Sequence, residues 1–381
     1  MHVTLHLTGR CNFRCQYCYA APHLDSEMSF DVARAAVDLA AQESLQRDPE
    51  QSVGIIFFGG EPLLRRDLIC QTVEYARGLG TRTGQSFYFK ITTNGALLDA
   101  AFLTAEPTRE IFVAMSHDGV QCAHDAHRVD LGGMGTWERL EEQINLLLHH
   151  KPYAPAMLVT TPATVAHYAD SVQYLASRGF RYLICSLDYS ARWTPRDLKQ
   201  LERQYERLSA WYIEETRNEK KFYFSPFDVK IASHVYPGSC RAERCELGKR
   251  QISVAPNGRL YPCVQFVGAG DSTQWAIGDV FHGVDEARRH QLYARNAAEK
   301  ECCSQCAIRE RCNHYCGCLN RQSTGSIDTV SPLLCAHEQM TLRCADRVAE
   351  KLFHQRSALF VQKQYNPLFP IVSMSEDQTA R

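Results

Sequence analysis

The sequence predicts an α/β protein in which a partial (β/α)6 barrel is followed by a small cysteine-rich domain. Short apolar runs alternate with longer amphipathic stretches over residues 1–225. Such alternation is typical of parallel strands joined by right-handed helical crossovers. Beyond residue 236 there is little regular apolar pattern, and eleven of the 17 cysteines lie between Cys240 and Cys344. Six β–α units are too few for a closed eight-stranded barrel, so we expect a partial one.

The six predicted strands are short apolar or alternating runs. "HVTLHL" alternates apolar and polar side chains, and "VGIIFFGGE" is a continuous apolar run that ends in glycines. Ser29 is the expected N-cap of the first helix, and Gly80 is expected to end the second. The predicted strands are 2–7, 53–61, 87–95, 111–119, 156–161 and 181–188.

The predicted domain limits follow the change in composition. Residues 1–225 form the barrel, and the boundary lies in "KFYFSPFDVK" (221–230). Residues 226–344 form the cysteine-rich domain, because a region with little apolar periodicity usually depends on metals or cross-links. Residues 345–381 form a C-terminal helix and a polar tail that we expect to be mobile.

Composition excludes several classes of function. The formal net charge is −1, so no basic field indicates binding to nucleic acid or to an anionic membrane. No apolar run approaches the roughly 20 residues that cross a bilayer, and no export signal is present at the N-terminus. The sequence therefore predicts a cytoplasmic protein. Because disulfides rarely persist there, 17 cysteines indicate metal binding or redox chemistry.

Polar motifs follow the first four predicted strands at the point where each strand ends. They are the cysteine run "CNFRCQYC", then "GGEP", "TTNG" and "SHDG". Any one of the glycine motifs is an ordinary turn signal. The carboxyl ends of parallel strands, however, meet at one face, where such folds have their active sites. We therefore expect these four motifs to lie together at a catalytic face.

The cysteine run carries the first resemblance to a known family. Cys11, Cys15 and Cys18 are one thiolate short of a closed four-ligand set. Their spacing, with an aromatic residue before the third cysteine, resembles the signature of radical S-adenosylmethionine (radical SAM) enzymes. The resemblance implies that these three thiolates bind three of the four irons of a [4Fe–4S] cluster. The fourth iron would then bind the amino and carboxylate groups of S-adenosylmethionine.

The later motifs resemble the cosubstrate-binding segments of the same family. The resemblance implies that Gly60 and Glu61 of "GGEP" meet the methionine ammonium group. Ser116 would bind the ribose, and Arg128 of "HDAHR" would bind the methionine carboxylate through a charge-assisted fork.

Two further residues complete the implied cosubstrate site. Tyr17 would contact the adenine, and Leu187, at the end of the sixth strand, would pack against it. His124 and His127 also lie in this part of the chain and could act as acid–base groups. Such histidines are more often structural, so we assign them no catalytic role, and no catalytic base is identified.

The later cysteines resemble the SPASM domain, a module with two auxiliary clusters that is attached to many radical SAM maturases. The resemblance implies two further [4Fe–4S] clusters and hence three in all. Zinc is the alternative reading of the Cys-x2-Cys spacing. Auxiliary cluster I would be held by Cys240, Cys245, Cys263 and Cys316, and auxiliary cluster II by Cys303, Cys306, Cys312 and Cys335. No role is assigned to Cys302, Cys318 and Cys344.

The resemblance implies a maturase that uses a 5′-deoxyadenosyl radical to oxidise or cross-link a side chain of a ribosomally made peptide or protein. Sulfatase maturases have an aspartate base after the corresponding auxiliary cysteine, whereas Val264 and Gln265 follow Cys263 here. Formylglycine formation is therefore disfavoured. The alternatives are a radical SAM oxidase of a small molecule and, in another class, an iron–sulfur electron carrier or zinc protein.

The expected partners follow from the maturase hypothesis. They are a peptide or protein substrate and a flavodoxin- or ferredoxin-type reductant. The chain begins almost at its first predicted strand, so we expect no fused N-terminal peptide-binding domain. A separate leader-peptide-binding protein, or the SPASM region itself, would then recognise the substrate.

Overall fold

The computed structural model describes residues 1–20, 25–47, 52–238, 246–268 and 272–379. Its main sheet has nine strands in the order β7-β6-β5-β4-β3-β2-β1-β8-β9, and β10 pairs with β11 in a separate hairpin. The strands are β1 His2–His6, β2 Val53–Phe58, β3 Phe87–Thr93, β4 Phe112–Ser116, β5 Pro155–Thr160, β6 Tyr182–Leu187, β7 Tyr223–Phe224, β8 Gln251–Val254, β9 Leu260–Tyr261, β10 Gly278–Asp279 and β11 Gly283–Val284.

Helices connect successive strands and cover the outer face of the sheet. They are α1 Phe30–Arg47, α2 Arg66–Thr83, α3 Ala100–Thr104, α4 Gln121–His124, α5 Trp137–His150, α6 Tyr168–Ser177, α7 Pro195–Arg217, α8 Ser225–Val235, α9 Glu286–Ala297, α10 Gly317–Thr324, α11 Pro332–His354, α12 Ala358–Tyr365 and α13 Phe369–Thr379.

The six predicted strands are confirmed as β1 to β6, and they pair in parallel in chain order. Alternation along each strand separates two faces. Val3 and Leu5 of β1, for example, are at most 1% exposed and pack in the core with the helices. The opposite face of the curved sheet bears Thr4 and His6. The α/β fold with a parallel sheet is therefore as predicted.

Two predicted helix ends are tested directly. The expected N-cap is confirmed, because the Val32 amide donates to Ser29 Oγ at 3.3 Å. The expected end at Gly80 is wrong, because α2 continues to Thr83. It ends at Gly84, which adopts a left-handed φ of 75° that favours glycine.

The structure is continuous across both predicted domain boundaries. Segment 221–230 contains β7 and the start of α8, and β7 joins the sheet beside β6. Strand β8, from the cysteine-rich region, pairs in parallel with β1. The limit at 344/345 falls inside α11, which begins after the N-cap Ser331. The tail expected to be mobile forms α12 and α13, while the division into domains stays a prediction.

Within the described ranges, none of the helices is both long enough and apolar enough to cross a membrane.

Candidate active site at the carboxyl ends of the strands

The loop after β1 brings the three N-terminal cysteines together. Cys11, Cys15 and Cys18, the thiol triplet, are all half-buried. Burial raises the pKa of Cys11 to about 12, and the nearby charges of Glu61, Cys15 and Cys18 add to this rise. The Cys18 amide donates to the Cys15 carbonyl at 3.1 Å, which closes a turn between the second and third cysteines. The structure therefore groups the triplet as the sequence predicts.

The "GGEP" motif after β2 packs directly against this cysteine loop. Gly60 N–H donates to the Thr8 carbonyl at 2.8 Å, and Glu61 N–H donates to the Arg10 carbonyl at 2.9 Å. A side chain at position 60 would collide with the carbonyl of Arg10. Gly59 has a φ of +131°, a conformation that L side chains rarely adopt. The two glycines therefore allow β2 to support the loop at close range.

The Glu61 carboxylate has a different environment from the one expected. It is fully buried and accepts hydrogen bonds from Leu63 N at 3.0 Å, Thr93 Oγ1 at 2.8 Å and Asn94 N at 2.8 Å. Burial raises its pKa to about 6, while these three hydrogen bonds oppose the rise. The side chain thus joins the end of β2 to the end of β3. We assign it this structural contribution, and its contact with the ammonium group stays a prediction.

Asn94, at the end of β3, is a site residue to which the sequence analysis gave no role. Its Nδ2 donates to Asn12 Oδ1 at 2.8 Å and lies 3.8 Å from Cys11 Sγ. The "TTNG" motif after the strand was the only sequence signal. Asn94 therefore links the first cysteine to Glu61 of "GGEP", whose carboxylate accepts from the Asn94 amide.

Arg128 and Asp118 form a buried ion pair beside the second cysteine. Arg128 Nε donates to Asp118 Oδ2 at 3.0 Å, and Arg128 Nη1 lies 3.9 Å from Cys15 Sγ. Tyr17 donates to the same carboxylate oxygen at 2.5 Å, and the guanidinium lies 5.4 Å from the centre of its ring. Burial alone would lower the pKa of Arg128, but the Asp118 charge and its other neighbours outweigh burial and raise it. Asp118 thus positions two predicted site residues.

Sequence reasoning missed Asp118, although it is part of "SHDG". The neighbouring Ser116, predicted to bind the ribose, is half-buried at the end of β4 on the same rim. Leu187 is only 3% exposed and lies in the core, on the same side of β6 as Leu183. Its predicted adenine contact stays a prediction.

The two histidines that we expected to be structural have partners within the protein. His124 Nε2 lies 3.0 Å from Thr136 Oγ1, and His127 Nε2 lies 2.7 Å from Thr161 Oγ1. Burial lowers the pKa of both imidazoles. These contacts hold the segment that carries Arg128 against neighbouring strands and helices.

The C-terminal cysteines form two separate groups. The cysteines predicted to hold auxiliary cluster II all line one cavity of about 220 Å³, together with Cys302. The thiols of Cys263 and Cys316, predicted for auxiliary cluster I, both contact the buried thiol of Cys318. Cys240 and Cys245 lie outside the described residues. The second group therefore includes a cysteine to which the sequence gave no role. The four predicted cluster II ligands among the five cysteines that line this cavity are Cys303, Cys306, Cys312 and Cys335.

The donor set is compatible with iron–sulfur clusters. Among described residues, no three His, Cys, Asp or Glu side chains converge as one ion would require. A cubane takes one thiolate per iron, so its ligands stand around it rather than meet at a point. Thiolates are also the ligands that such clusters prefer. The thiol triplet, with Arg128 and Asn94 beside it, fits a cluster with one open iron.

Comparison with known proteins identifies the barrel. Residues 5–186 match the family model of the radical SAM superfamily. The chain is 22% identical over 314 residues to the cysteine-type anaerobic sulfatase-maturating enzyme of Clostridium perfringens (strain 13 / Type A), covering 79% of this chain and 82% of the relative.

Two solved structures extend the similarity to most of the chain. The native enzyme anSMEcpe with bound AdoMet and the Cp18Cys peptide has a TM-score of 0.76 at 19% identity, over 92% of this chain and 98% of that one. Streptococcus suis SuiB bound to the precursor peptide SuiA has a TM-score of 0.58 at 14% identity, over 88% and 75%. The family implies S-adenosylmethionine and a [4Fe–4S] cluster. Residues 5–186 therefore form a radical SAM domain.

Proposed function

We propose that this protein is a radical SAM maturase that oxidises or cross-links a side chain of a ribosomally made peptide or protein. The observation that supports this best is the position of Arg128 beside Cys15, with Asp118 holding the guanidinium in place. A buried cation next to an incomplete set of thiolate ligands suits a cosubstrate that presents a carboxylate to the open iron.

The proposed binding site uses this chain's own residues in distinct ways. Cys11, Cys15 and Cys18 hold the cluster, and Arg128 binds the carboxylate of the cosubstrate. Ser116 binds its ribose. When bound, the cluster and S-adenosylmethionine supply a 5′-deoxyadenosyl radical that removes a hydrogen atom from the substrate. Tyr17 and Leu187 are the proposed neighbours of the adenine, and Gly60 and Glu61 of the ammonium group.

Several relatives support a peptide or protein substrate. The sulfatase-maturating relative is named for a protein substrate, and the structures of anSMEcpe and SuiB contain peptides. Formylglycine formation is less well supported for this chain, because Val264 follows Cys263 where sulfatase maturases have an aspartate base. We therefore favour a different oxidation or a cross-link.

The C-terminal cysteines support a SPASM domain with two auxiliary clusters. Cys303, Cys306, Cys312 and Cys335 are the proposed ligands of cluster II, since they share one cavity. Cys263 and Cys316, with Cys240 and Cys245, are the proposed ligands of cluster I. Fully ligated clusters favour electron relay over substrate binding, so we propose that they take up the electron released when a substrate radical is oxidised.

The remaining partners are proposed from this chemistry. A flavodoxin- or ferredoxin-type protein would reduce the N-terminal cluster, and a separate leader-peptide-binding protein or the SPASM region would recognise the substrate. Three thiolate-bound clusters are compatible with a reducing compartment, which favours the cytoplasm.

Anaerobic reconstitution with iron and sulfide tests the proposal. The enzyme is incubated with dithionite, S-adenosylmethionine and synthetic peptides encoded beside its gene. We expect 5′-deoxyadenosine together with a change in the mass of one peptide. Release of 5′-deoxyadenosine with no change in any peptide would contradict a peptide substrate, and turnover of a small molecule alone would favour the alternative oxidase.

A Cys15→Ala variant separates the enzyme from an electron carrier or zinc protein. It should abolish 5′-deoxyadenosine formation and keep about two thirds of the iron, because two of three proposed clusters remain. A Cys70→Ala variant is the control, since Cys70 lies on α2 away from both cysteine groups. Zinc without iron in the anaerobically purified protein would contradict the proposal.

A further inference from the structure

Several buried polar groups lack a hydrogen-bond partner among the described residues, and two of them lie beside the same ring near the thiol triplet. These two are Nε2 of His6 and the hydroxyl of Tyr19. A buried polar atom without a partner costs free energy, so such atoms are rare in folded proteins. Where two such atoms lie close together beside an active site, a bound ligand that forms the missing hydrogen bonds would explain why both are kept.

The side chains of both groups contact one aromatic ring, that of Phe58. His6 is the neighbour of Phe58 in the β1–β2 register, and their rings are 5.3 Å apart at 65°. Tyr19 stacks on Phe58 at 6.4 Å and 16°. His6 is on the face of β1 opposite to the core residue Leu5, which points it into the curved sheet. We call these three residues the His6–Phe58–Tyr19 cluster.

The Tyr19 end of the cluster lies near the thiol triplet and near the group formed by Cys263, Cys316 and Cys318. Tyr19 directly follows Cys18, the last residue of the thiol triplet. Burial raises the pKa of the Tyr19 phenol, and the nearby thiols of Cys263, Cys18 and Cys318 raise it further. The phenol is therefore near both groups. Under the proposed function, a substrate near both groups can give a hydrogen atom at one and an electron at the other.

We propose that the His6–Phe58–Tyr19 cluster is a substrate subsite that binds the peptide backbone next to the residue being modified. This inference rests on the proposed function. The Tyr19 hydroxyl donates to a backbone carbonyl, and His6 Nε2 accepts from a backbone N–H. Every peptide unit presents both groups, whereas a substrate without amides would leave at least one unpaired. Both are positioning residues.

The protonation state of His6 agrees with this assignment. Burial lowers its pKa to about 3, so the imidazole is neutral at physiological pH. A neutral imidazole has one nitrogen that accepts a hydrogen bond. The Phe58 ring contacts both side chains and supplies an apolar neighbour for the bound backbone.

Direct binding of a minimal peptide unit tests the subsite without knowledge of the natural substrate. The probe is N-acetylalanine N-methylamide, measured by saturation-transfer NMR on the reconstituted holoenzyme. We expect saturation transfer to this probe to be about fivefold weaker for Tyr19→Phe and for His6→Phe than for the wild-type protein, since each variant loses one hydrogen bond. N-acetylalanine methyl ester, which lacks one N–H, should bind the wild type more weakly.

Matched controls separate the subsite from general effects of the substitutions. Tyr75→Phe and His149→Phe alter the same residue types elsewhere, and both should keep wild-type transfer. Iron content and the reduced-cluster EPR spectrum should match the wild type in Tyr19→Phe, because only one oxygen is removed. No transfer to the wild type, or equal transfer in wild type, Tyr19→Phe and His6→Phe, would overturn the proposal.

A second readout keeps the subsite distinct from the proposed function. With a peptide that the wild type modifies, Tyr19→Phe should raise the ratio of 5′-deoxyadenosine to modified peptide about fivefold, because the substrate is held less firmly. If no peptide is modified but the amide probe binds as expected, the subsite stands and the proposed function fails. If Tyr19→Phe and His6→Phe both give the wild-type ratio of 5′-deoxyadenosine to modified peptide, the subsite fails and the proposed function stands.

Discussion

Arg128 Nε and Asp118 Oδ2 are 3.0 Å apart, and the two side chains are only 7% and 3% exposed. The pair joins the end of β4 to the segment that follows α4. Because Asp118 also accepts hydrogen bonds from Tyr17 and from Val159 N, one carboxylate organises the region beside Cys15.

Replacing Asp118 by Asn should leave the Arg128 charge buried and unpaired. We expect the free energy of unfolding to fall by about 3 kcal/mol and the KM for S-adenosylmethionine to rise at least about tenfold. Anaerobic urea unfolding and the rate of 5′-deoxyadenosine formation measure the two effects. The control is Asp170→Asn, which breaks the exposed pair with Arg207 and should cost less than about 1 kcal/mol. Equal losses in both variants would contradict the assignment.

The sequence was sufficient for the strands but not for the contacts between their ends. Alternating patterns such as that of β1 depend on local periodicity, so the six strands were predictable. The Asp118–Arg128 pair depends on how the chain returns after β4, and no periodicity encodes that path. The hydrogen bonds of Glu61 to Thr93 and Asn94 were not predictable for a similar reason, since these partners lie at the end of another strand.

The C-terminal half shows a different limit. The C-terminal helix predicted from residue 345 begins earlier, at Pro332, so helix α11 also carries Cys335 and Cys344. Cys318 was a surplus cysteine in the sequence, because its contact with Cys263 depends on how α10 packs against a segment distant in the chain. Spacing gave no role to Cys302 or Cys318, although one lines the cavity of the proposed cluster II ligands and the other contacts Cys263 and Cys316.

Replacing Gly60 by Ala should displace the cysteine loop, since the new methyl group would collide with the Arg10 carbonyl. We expect iron content to fall by about one third, the share of one cluster in three, and cosubstrate cleavage to be lost. Gly78→Ala is the control, because its methyl group would meet only the end of the Arg82 side chain at 3.5 Å. This helical substitution should stabilise the protein by up to about 1 kcal/mol. Full iron loading of Gly60→Ala would contradict the inference that close packing of "GGEP" against the cysteine loop is needed to hold the cluster.

His6 should make the stability of the protein depend on pH. Burial lowers its pKa from 6.5 to about 3 in the folded state. The unfolded chain therefore binds a proton first, so the stability that neutral His6 contributes is present above pH 6.5 and lost as the pH falls towards 3. The loss is about 1.4 kcal/mol per pH unit in this window.

Between pH 6.5 and 5, the unfolding free energy of a His6→Phe variant should change less steeply with pH than that of the wild type, by about 1.4 kcal/mol per pH unit. The measurement is anaerobic urea unfolding at several pH values. His149→Phe, at an exposed position, should keep the wild-type slope. If His6→Phe and wild type lose stability in parallel as the pH falls, the imidazole is not held neutral by burial.

Cys312 and Cys344 are both buried, but only Cys312 lines the cavity shared by the proposed ligands of auxiliary cluster II. Cys344 lies on α11 and contacts Arg347 instead. We expect Cys312→Ser to lose about one third of the iron and one of the reduced-cluster EPR signals. Cys344→Ser should keep the wild-type iron content and all of these signals. Iron and sulfide analysis of the anaerobically reconstituted variants measures this. Cys302→Ser is the decisive third variant, since Cys302 lines the same cavity: if it loses iron and Cys312→Ser does not, Cys302 is the ligand and the assignment by spacing is wrong.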